Sequence, residues 1–301
     1  MTDILIAGGG PAGLTAAIYA RRADLSVRVL ERLTAGGQMV STPEIENYPA
    51  LKKTEGFQLS MDMESHARDL GAVIEYDEIT GFDLNAPAAI CGTERVEARA
   101  LILAMGASRR KIGCEGEDRF AGRGVSYCAV CDGNFFRRKP VMVVGGGNTA
   151  LEDALYMANL GCKVYLVHRR AEFRGGKALE AKARSEPNIE LLLERAPLSV
   201  NGGETVESVT LTHTADGRTE TVEVNGVFAA VGVVPATELL RGNLPLTESG
   251  HIDVGEDCKT GIPGVFAAGD IRKKPLYQIV TACADGAAAA TAAVDYLNTR
   301  D

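Results

Sequence analysis

The chain has 301 residues, 46% of them hydrophobic and 24% charged, and a formal net charge of −8. This length and composition are typical of a globular protein with two domains, each able to bury its own core. The negative charge argues against nucleic acid or an anionic membrane as a partner, and no apolar run of about 18 residues could span a bilayer. Because an apolar strand begins within a few residues of Met1, no room is left for a signal peptide, and we expect a cytoplasmic protein.

The N-terminal residues predict one βαβ unit. A strand over 4–7 leads into the loop Gly8-Gly-Gly-Pro-Ala-Gly13, which is followed by a helix over 14–23. A second strand over 26–30 ends at Glu31. A strand, a glycine-rich turn, a helix and an acid about 20 residues further on are typical of a dinucleotide-binding domain.

Each glycine of this loop has its own expected role. Gly8 permits the tight turn, Gly10 lets the backbone approach a pyrophosphate, and Gly13 allows close packing of helix on strand. The free N–H groups and the dipole of the helix N-terminus favour the phosphates. Glu31 is expected to accept hydrogen bonds from an adenosine ribose.

The same order of elements recurs in the middle of the chain. A strand over 141–144 precedes Gly145-Gly-Gly147-Asn-Thr-Ala150, a helix over 149–160 and a strand over 163–167. Gly145, Gly147 and Ala150 match the fingerprint with its tolerated alanine. This second unit is therefore also predicted to bind a dinucleotide.

The second unit differs from the first at the end of its second strand, where basic residues replace the acid. These residues are His168, Arg169, Arg170 and Arg174. Guanidinium groups pair with a 2′-phosphate, which a carboxylate would repel. The pattern predicts NADPH rather than NADH at this site and FAD at the first one, with a solvated basic patch as the alternative.

Strands near both ends of the chain suggest that the first domain is discontinuous. One strand over 100–104 precedes Gly106, and another over 264–268 ends in Gly269-Asp270, before an alanine-rich helix over 281–297. We predict an α/β fold of two doubly wound, Rossmann-like nucleotide-binding domains, the second inserted in the first. The expected boundaries are 1–112 and 236–301 for the FAD domain and 113–235 for the NADPH domain.

Cys128 and Cys131 are the one closely spaced pair among the seven cysteines. Structural zinc needs four ligands, and neither a second pair nor the four histidines supply the others, so no metal is expected. Two thiols three positions apart close a small disulfide at little entropic cost, which favours a redox pair over coincidence. Asp132 follows immediately and is expected to protonate a leaving thiolate, or else only to place a charge at a helix N-terminus. The other cysteines are expected to be small buried hydrophobes.

Taken in order, these motifs resemble a low-molecular-weight thioredoxin reductase, a class II flavoprotein of the pyridine nucleotide-disulfide oxidoreductases. The resemblance covers essentially the whole chain. It is carried by the two glycine loops, the Cys pair and the basic cluster, together with Gly36-Gly-Gln38, Glu46-Asn-Tyr-Pro49, and Gly269-Asp270 followed by Gln278.

The resemblance implies roles for particular residues. Cys131 would face the flavin and form a charge-transfer thiolate, while Cys128 attacks the disulfide of thioredoxin or a similar redoxin. Arg123 resembles a position used to dock thioredoxin, and members of the family are typically homodimers. The residues expected to bind FAD are Gly8, Gly10, Pro11, Ala12, Gly13, Glu31, Gly37, Gln38, Asn47, Gly106, Gly269, Asp270 and Gln278. Those expected to bind NADPH are Gly145, Gly147, Asn148, Thr149, His168, Arg169, Arg170 and Arg174.

The mechanism also predicts motion. The nicotinamide and Cys131 must both reach the flavin, yet both belong to the inserted domain, and a protein-sized substrate must reach Cys128. One static arrangement cannot meet all three demands, so we expect the inserted domain to swing between two orientations.

Three positions depart from the family pattern. Tyr277 precedes Gln278 where the family more often has arginine, Met105 interrupts the usual Ala-Thr-Gly, and 233–236 lacks the usual polar residues. Alternative functions share the motifs: a reductase of another redoxin, a reductase with ferredoxin as donor, a dithiol oxidase, or a flavin-bound sensor. The retained arginine cluster favours NADPH as donor, and the Cys pair lacks the internal proline usual in the oxidases.

Overall fold

The computed structural model describes residues 1–42 and 44–300 and divides the chain into two compact units. The first unit comprises Met1–Ser108 and Val234–Asp301, and the second comprises Arg109–Val233. The chain therefore leaves the first unit after Ser108 and returns to it at Val234. The boundaries expected from the sequence, 1–112 and 236–301 for one domain and 113–235 for the other, stay a prediction.

The described residues form six α-helices and 17 strands, besides four short 3₁₀ turns. The helices are α1 (Pro11–Arg22), α2 (Gly56–Asp69), α3 (Ala129–Asp132), α4 (Asn148–Asn159), α5 (Lys177–Ser185) and α6 (Ile279–Asn298). The strands are β1 (Thr2–Ala7), β2 (Val27–Glu31), β3 (Val73–Tyr76), β4 (Gly81–Asp83), β5 (Ala88–Cys91), β6 (Glu94–Leu103), β7 (Ala107–Arg109), β8 (Val125–Ser126), β9 (Val141–Val144), β10 (Val164–His168), β11 (Ile189–Leu193), β12 (Arg195–Asn201), β13 (Ser208–His213), β14 (Thr219–Glu223), β15 (Gly226–Ala229), β16 (Val233–Pro235) and β17 (Val265–Ala267). None of the described helices has both the length and the apolar character that a bilayer span requires.

The first unit is built on a sheet of order β3-β2-β1-β6-β5-β4, with β17 also paired to β6. The pairs formed by β1, β2, β3 and β17 are parallel, whereas β4, β5 and the first half of β6 are antiparallel. Alternate residues of β1 enter two cores, since Ile4 and Ile6 pack with α1, α2 and α6 while Leu5 packs on the opposite face. Burial on both faces explains why the parallel strands are continuously apolar.

Helix α6 closes this unit against α1. A methyl group at Gly286 would lie 2.1 Å from the carbonyl oxygen of Ala12, so the two helices approach as closely as backbones can. The remaining small residues of α6 that face this contact, Ala289, Ala290 and Ala293, are fully buried. The alanine-rich composition is thus explained by packing.

The second unit is built on a parallel sheet of order β11-β10-β9-β15-β8. One face carries α4 and α5, which bury Leu151, Met157 and Ala183 against Val141 and Val143 of β9. The antiparallel sheet β12-β13-β14 covers the other face. Each unit therefore places a glycine loop at the carboxyl end of a central parallel strand, as doubly wound folds do. The fold class predicted from the sequence is confirmed.

Candidate active site

The Cys pair lies where β8 leads into α3. Cys128 and Cys131 are joined by a disulfide, with their Cα atoms 5.3 Å apart, and both are half-buried. The backbone N–H of Cys131 donates to Sγ of Cys128 over 3.2 Å. Redox-active cysteines are typically only partly buried, and these two residues have that degree of burial. The disulfide predicted from the spacing is confirmed.

Ser126 forms hydrogen bonds both with the Asp132 carboxyl group and with the backbone of Cys128. The Ser126 side chain is 6% exposed, and its hydroxyl donates to Oδ2 of Asp132 over 2.6 Å. Oγ of Ser126 in turn accepts the backbone N–H of Cys128 over 3.1 Å. Ser126 therefore connects the acid with the backbone of one redox cysteine, a link that sequence reasoning missed.

Opposing effects act on the Asp132 carboxyl. Burial raises its pKa above the usual range, while the hydrogen bond from Ser126 and the nearby charge of Arg109 act in the opposite direction. Burial is the largest of these effects and the pKa is raised overall. Because a raised pKa keeps a larger fraction of the group protonated near neutral pH, Asp132 is suited to donate a proton.

The other five cysteines are free thiols. Three are buried and two half-buried: Cys91, Cys162 and Cys258, and Cys114 and Cys283. Burial raises the pKa of Cys114 and of Cys258 to about 11, so these two stay protonated at neutral pH. Within residues 1–42 and 44–300, no cluster of three or more histidine, cysteine or acidic side chains is arranged to hold a metal.

The first glycine loop has the geometry that a bound dinucleotide requires. At Gly8, φ is +103°, and a methyl group there would lie 2.5 Å from the carbonyl oxygen of Ala104. A methyl group at Gly13 would lie 1.9 Å from the carbonyl oxygen of Gly8. In contrast, no atom lies within 4 Å of such a group at Gly10. Two glycines are required by the protein's own packing, whereas the third faces open space that a pyrophosphate fits.

The Glu31 carboxylate forms a hydrogen bond with the backbone of the first glycine loop. Its Oε2 accepts the backbone N–H of Gly9 over 2.8 Å, and its Oε1 accepts that of Leu33 over 3.1 Å. The sequence predicted only a ribose contact. Since each carboxylate oxygen accepts more than one hydrogen bond, ribose hydroxyls fit beside these backbone donors.

Other residues expected to bind FAD lie around the start of α1 or at the start of α6. Gly37 lies next to Gly10, since a methyl group on Gly37 would be 3.4 Å from the Gly10 Cα. Likewise, one on Gly269 would be 2.8 Å from Cβ of Ala12. Near α6, Nδ2 of Asn47 donates to Oε1 of Gln278 over 3.0 Å.

The remaining residues expected to bind FAD include Gln38, Gly106 and Asp270, which have different local contacts. The Gln38 side chain donates to the carbonyl oxygen of Ala107, and Gly106 has a φ of +69°. Oδ1 of Asp270 is buried and makes no hydrogen bond within the described chain, although Nζ of Lys274 lies 3.1 Å away at ion-pair distance. A buried oxygen left without a well-aligned donor fits a ligand hydroxyl. The residues present therefore fit FAD.

Sequence reasoning missed a buried charge cluster next to Gly269. The Asp285 carboxylate accepts the backbone N–H of Gly269 over 3.0 Å and two hydrogen bonds from Arg272. Nζ of Lys274 donates to it over 3.2 Å. An aspartate within an apolar, alanine-rich helix was the available signal, because a charge is rarely buried without partners.

The second glycine loop, like the first, has one glycine packed against backbone and another that faces open space. A methyl group at Gly145 would lie 2.3 Å from the carbonyl oxygen of Ala230, whereas one at Gly147 would meet no atom within 4 Å. Oδ1 of Asn148 accepts the backbone N–H of Gly176 over 2.7 Å, while Thr149 is exposed at the start of α4. Asn148 thus fixes the segment that follows Arg174.

The structure separates the basic cluster into two parts. Arg169, Arg170 and Arg174 are exposed, and in the part of the chain that the structure describes none of them forms an ion pair. His168 is 6% exposed, and its ring fills the space where a side chain at Gly146 would stand.

The His168 ring forms part of the loop's support. It stacks on Phe173 with centroids 5.5 Å apart. Burial, followed by the positive charge of Arg174, lowers the pKa of His168, so the ring is neutral near pH 7. The exposed arginines, and not His168, therefore carry the positive charge that an anionic ligand would meet.

Comparisons with known proteins agree with these features over nearly the whole chain. Residues 2–286 match the family described as pyridine nucleotide-disulphide oxidoreductase. The thioredoxin reductase of Peptoclostridium acidaminophilum is 41% identical over 304 residues, which covers 98% of this chain and 96% of that protein. The structure is similar to that of thioredoxin reductase from Streptococcus pyogenes MGAS5005, with a TM-score of 0.93, 37% identity and 99% of each chain covered. It is also similar to thioredoxin reductase from Giardia duodenalis, with a TM-score of 0.94, 36% identity and the same coverage.

Proposed function

The chain belongs to the pyridine nucleotide-disulphide oxidoreductase family, and we propose that it acts as an NADPH-dependent thioredoxin-disulfide reductase. One observation carries this function: the Cys128–Cys131 disulfide lies in the same unit as a glycine loop flanked by exposed arginines. The enzyme uses FAD and NADPH. When bound, FAD relays two electrons from the nicotinamide to the disulfide.

Each unit is proposed to bind one of the two cofactors. The first unit would hold FAD, which is supported by the open space at Gly10 and by the buried Asp270 oxygen that makes no hydrogen bond within the described residues. The second unit holds NADPH, with its pyrophosphate against Gly147 and the start of α4. Its 2′-phosphate is paired by the arginines, whose planar guanidinium groups can each donate two hydrogen bonds.

The Cys pair carries the exchange with the partner. In the reduced enzyme, the Cys128 thiolate attacks one sulfur of the thioredoxin disulfide, and a new S–S bond forms as the old one breaks. The other thioredoxin sulfur leaves as a thiolate and takes the proton of Asp132. Cys131 then gives its proton to the Asp132 carboxylate and attacks Cys128. The second thioredoxin sulfur leaves and receives that proton, so thioredoxin gains two hydrogens and the enzyme disulfide is restored. Asp132 is left as a carboxylate and takes up a proton from water before the next turnover.

The partner, the assembly and the location are proposed on the same grounds. The exposed Arg123 lies five residues before Cys128 and is a docking position for thioredoxin or a similar acidic redoxin. Five free thiols are typical of a reducing compartment, which supports a cytoplasmic location. A homodimer is proposed from the resemblance to the family.

Anaerobic stopped-flow spectroscopy tests the function. The FAD-loaded protein is mixed with NADPH or NADH, and thioredoxin is then added. We expect rapid flavin bleaching by NADPH, slower bleaching by NADH, and reoxidation by thioredoxin that disappears in Cys128→Ser. Bleaching by neither nucleotide would refute the assigned donor and direct attention to ferredoxin. Reoxidation by oxygen alone would refute the assigned acceptor.

A further inference from the structure

We propose that Ser126 is a positioning residue whose hydroxyl holds the Asp132 carboxyl group in both protonation states by switching its own hydrogen bond between two acceptors. The inference rests on the proposed function, because it deepens the proton transfer assigned to Asp132. Nothing in the motif itself, which places Ser126 two residues before the Cys pair, distinguishes this side chain from an ordinary buried serine.

The contacts of Ser126 leave its single proton two destinations. Oγ lies 2.6 Å from Oδ2 of Asp132 and 3.3 Å from the carbonyl oxygen of Cys128. It also accepts the backbone N–H of Cys128 over 3.1 Å. A hydroxyl donates once and accepts twice, so this N–H uses one acceptor site and leaves the other free. The hydroxyl hydrogen can point to the carboxyl group or to the carbonyl oxygen.

The two destinations correspond to the two states of Asp132. When Asp132 is ionised, the Ser126 hydroxyl donates to the carboxylate in a short, charge-assisted hydrogen bond. When Asp132 carries a proton, it donates that proton to the free acceptor site of Oγ, and the Ser126 hydroxyl turns to the Cys128 carbonyl oxygen. Neither state leaves a buried polar group unpaired, which would otherwise cost about 1–3 kcal/mol. Within Ser126, rotation about the Cβ–Oγ bond is enough to exchange the two arrangements.

Other charges near Asp132 do not replace this contact. Arg109, in β7, is the cation that acts on Asp132, and its guanidinium also donates to the carbonyl oxygen of Tyr127. From the neighbouring α4, Asp153 faces the same Arg109, and burial raises the pKa of Asp153 to about 6. The two sulfur atoms become charged only on reduction. Arg109 therefore acts on two carboxyl groups, whereas the Ser126 hydroxyl donates directly to Asp132 over 2.6 Å.

During turnover the switch accompanies a balanced transfer. Asp132 gives its proton to the departing thioredoxin thiolate and becomes a carboxylate, and the Ser126 hydroxyl turns from the Cys128 carbonyl to that carboxylate. When Cys131 gives a proton to Asp132, the hydroxyl turns back to the carbonyl oxygen, and it turns to the carboxylate again when that proton passes to the second thioredoxin sulfur. Ser126 neither gains nor loses a proton. It positions the Asp132 carboxyl group but is not itself the proton donor.

The first test is kinetic. The rate of thioredoxin reduction by the prereduced enzyme is measured from pH 5 to about pH 9 for the wild type, Ser126→Ala and Ser126→Thr, with Ser185→Ala as the matched control on the exposed end of α5. Removing the donor to the carboxylate should shift the limb of the profile assigned to Asp132 to higher pH and lower the rate about 10-fold. Ser126→Thr, which keeps the hydroxyl, should retain the wild-type profile. A Ser126→Ala profile equal to those of the wild type and Ser185→Ala would overturn the proposal.

The second test needs no variant and no activity. The Cys128 amide ¹⁵N shift and the Asp132 carboxyl ¹³C shift are followed by NMR in the oxidised, FAD-loaded protein as the pH is varied. If the switch operates, both signals titrate with one midpoint, since the Cys128 N–H donates to the hydroxyl that turns. A Cys128 amide that does not respond to Asp132 would refute the switch even if Ser126→Ala failed to fold. Failure of the wild type to reduce thioredoxin would instead refute the proposed function and leave this result standing by itself.

Discussion

Arg272 and Asp285 face each other inside the first unit in a fork, Nε to Oδ2 over 2.9 Å and Nη2 to Oδ1 over 2.7 Å. Both side chains are almost fully buried, and Lys274 adds a second cation to the same carboxylate. The fork joins the segment after Gly269 to α6. It therefore fixes the backbone that is expected to contact FAD.

Removing the acid of this fork should strongly destabilise the protein. Asp285→Asn removes the buried counter-charge of Arg272 and leaves Lys274 with Asp270 as its remaining carboxylate partner, for which we expect a loss of about 3–5 kcal/mol in the free energy of unfolding of the first unit. Asp295→Asn, on the exposed side of the same helix, should change it by less than about 0.5 kcal/mol. Chemical denaturation of the apoprotein measures both, and equal midpoints for the two variants would contradict the assigned role of Asp285.

Substitution within the first glycine loop should separate folding from cofactor binding. Gly10→Ala places a methyl group where no protein atom lies within 4 Å, so the unfolding temperature of the apoprotein should stay within a few degrees of the wild type. FAD affinity should fall about 10-fold or more, because the methyl group occupies the space of the pyrophosphate. Gly13→Ala collides with the backbone at Gly8 and should impair folding itself. Fluorescence titration measures FAD affinity, and thermal melts measure the unfolding temperature of each variant. An FAD affinity of Gly10→Ala equal to that of the wild type would contradict the prediction.

The exposed arginines should set the choice of nicotinamide cofactor. Replacing Arg169, Arg170 and Arg174 together by glutamine should raise KM for NADPH about 10–100-fold, the range expected when charge-assisted hydrogen bonds worth about 1.5–3 kcal/mol are lost. KM for NADH should change little, since NADH has no 2′-phosphate. Arg241→Gln, an exposed arginine in the first unit, serves as the control. An equal rise in KM for NADPH and KM for NADH would mean that the three arginines do not bind the 2′-phosphate.

Asp153 should give the protein's stability a pH dependence of predictable sign. Its pKa in the folded protein is raised to about 6 by burial, above its unfolded value, so ionisation is less favourable when folded. Stability contributed by the neutral form is thus present at low pH and is lost as the pH rises through about 6.

Asp153→Asn tests this sign. The variant should match the wild type near pH 4 and become more stable than it above pH 7, by about 1 kcal/mol after allowance for the group's partial exposure. Thermal unfolding across this range measures the difference, with the exposed Asp257→Asn as control. A difference that is independent of pH would show that the carboxyl group does not titrate as assigned.

The local features of this fold could be predicted from the sequence because they depend on neighbours in the chain. Both glycine loops, the Cys pair and the long helices α1, α4 and α6 leave patterns that span a few turns or strands. The helix predicted over 281–297 extends in the structure over Ile279–Asn298. The fold class followed from the recurrence of these patterns.

The rest could not be predicted because it depends on contacts between distant residues. Asn47 and Gln278, which share a hydrogen bond, are separated by 231 positions. His168 is buried beside Gly146 because its ring stacks on Phe173, and this contact depends on the conformation of the loop that contains Phe173. Ser126 is close to Asp132 in sequence, but only the conformation of the intervening turn brings its hydroxyl to the carboxyl group.

The insertion of one unit within the other also has a consequence for synthesis. Strand β6 lacks its partner β17, and helix α1 lacks α6, until the last part of the chain has been made. The residues from Arg109 to Val233, by contrast, form a continuous stretch with a sheet and core of its own. As a ribosome delivers the chain from its N-terminus, the middle can fold while the opening segment still waits, exposing the apolar face of β1. The unit that is begun first is therefore the one completed last, and during that interval it needs protection from aggregation.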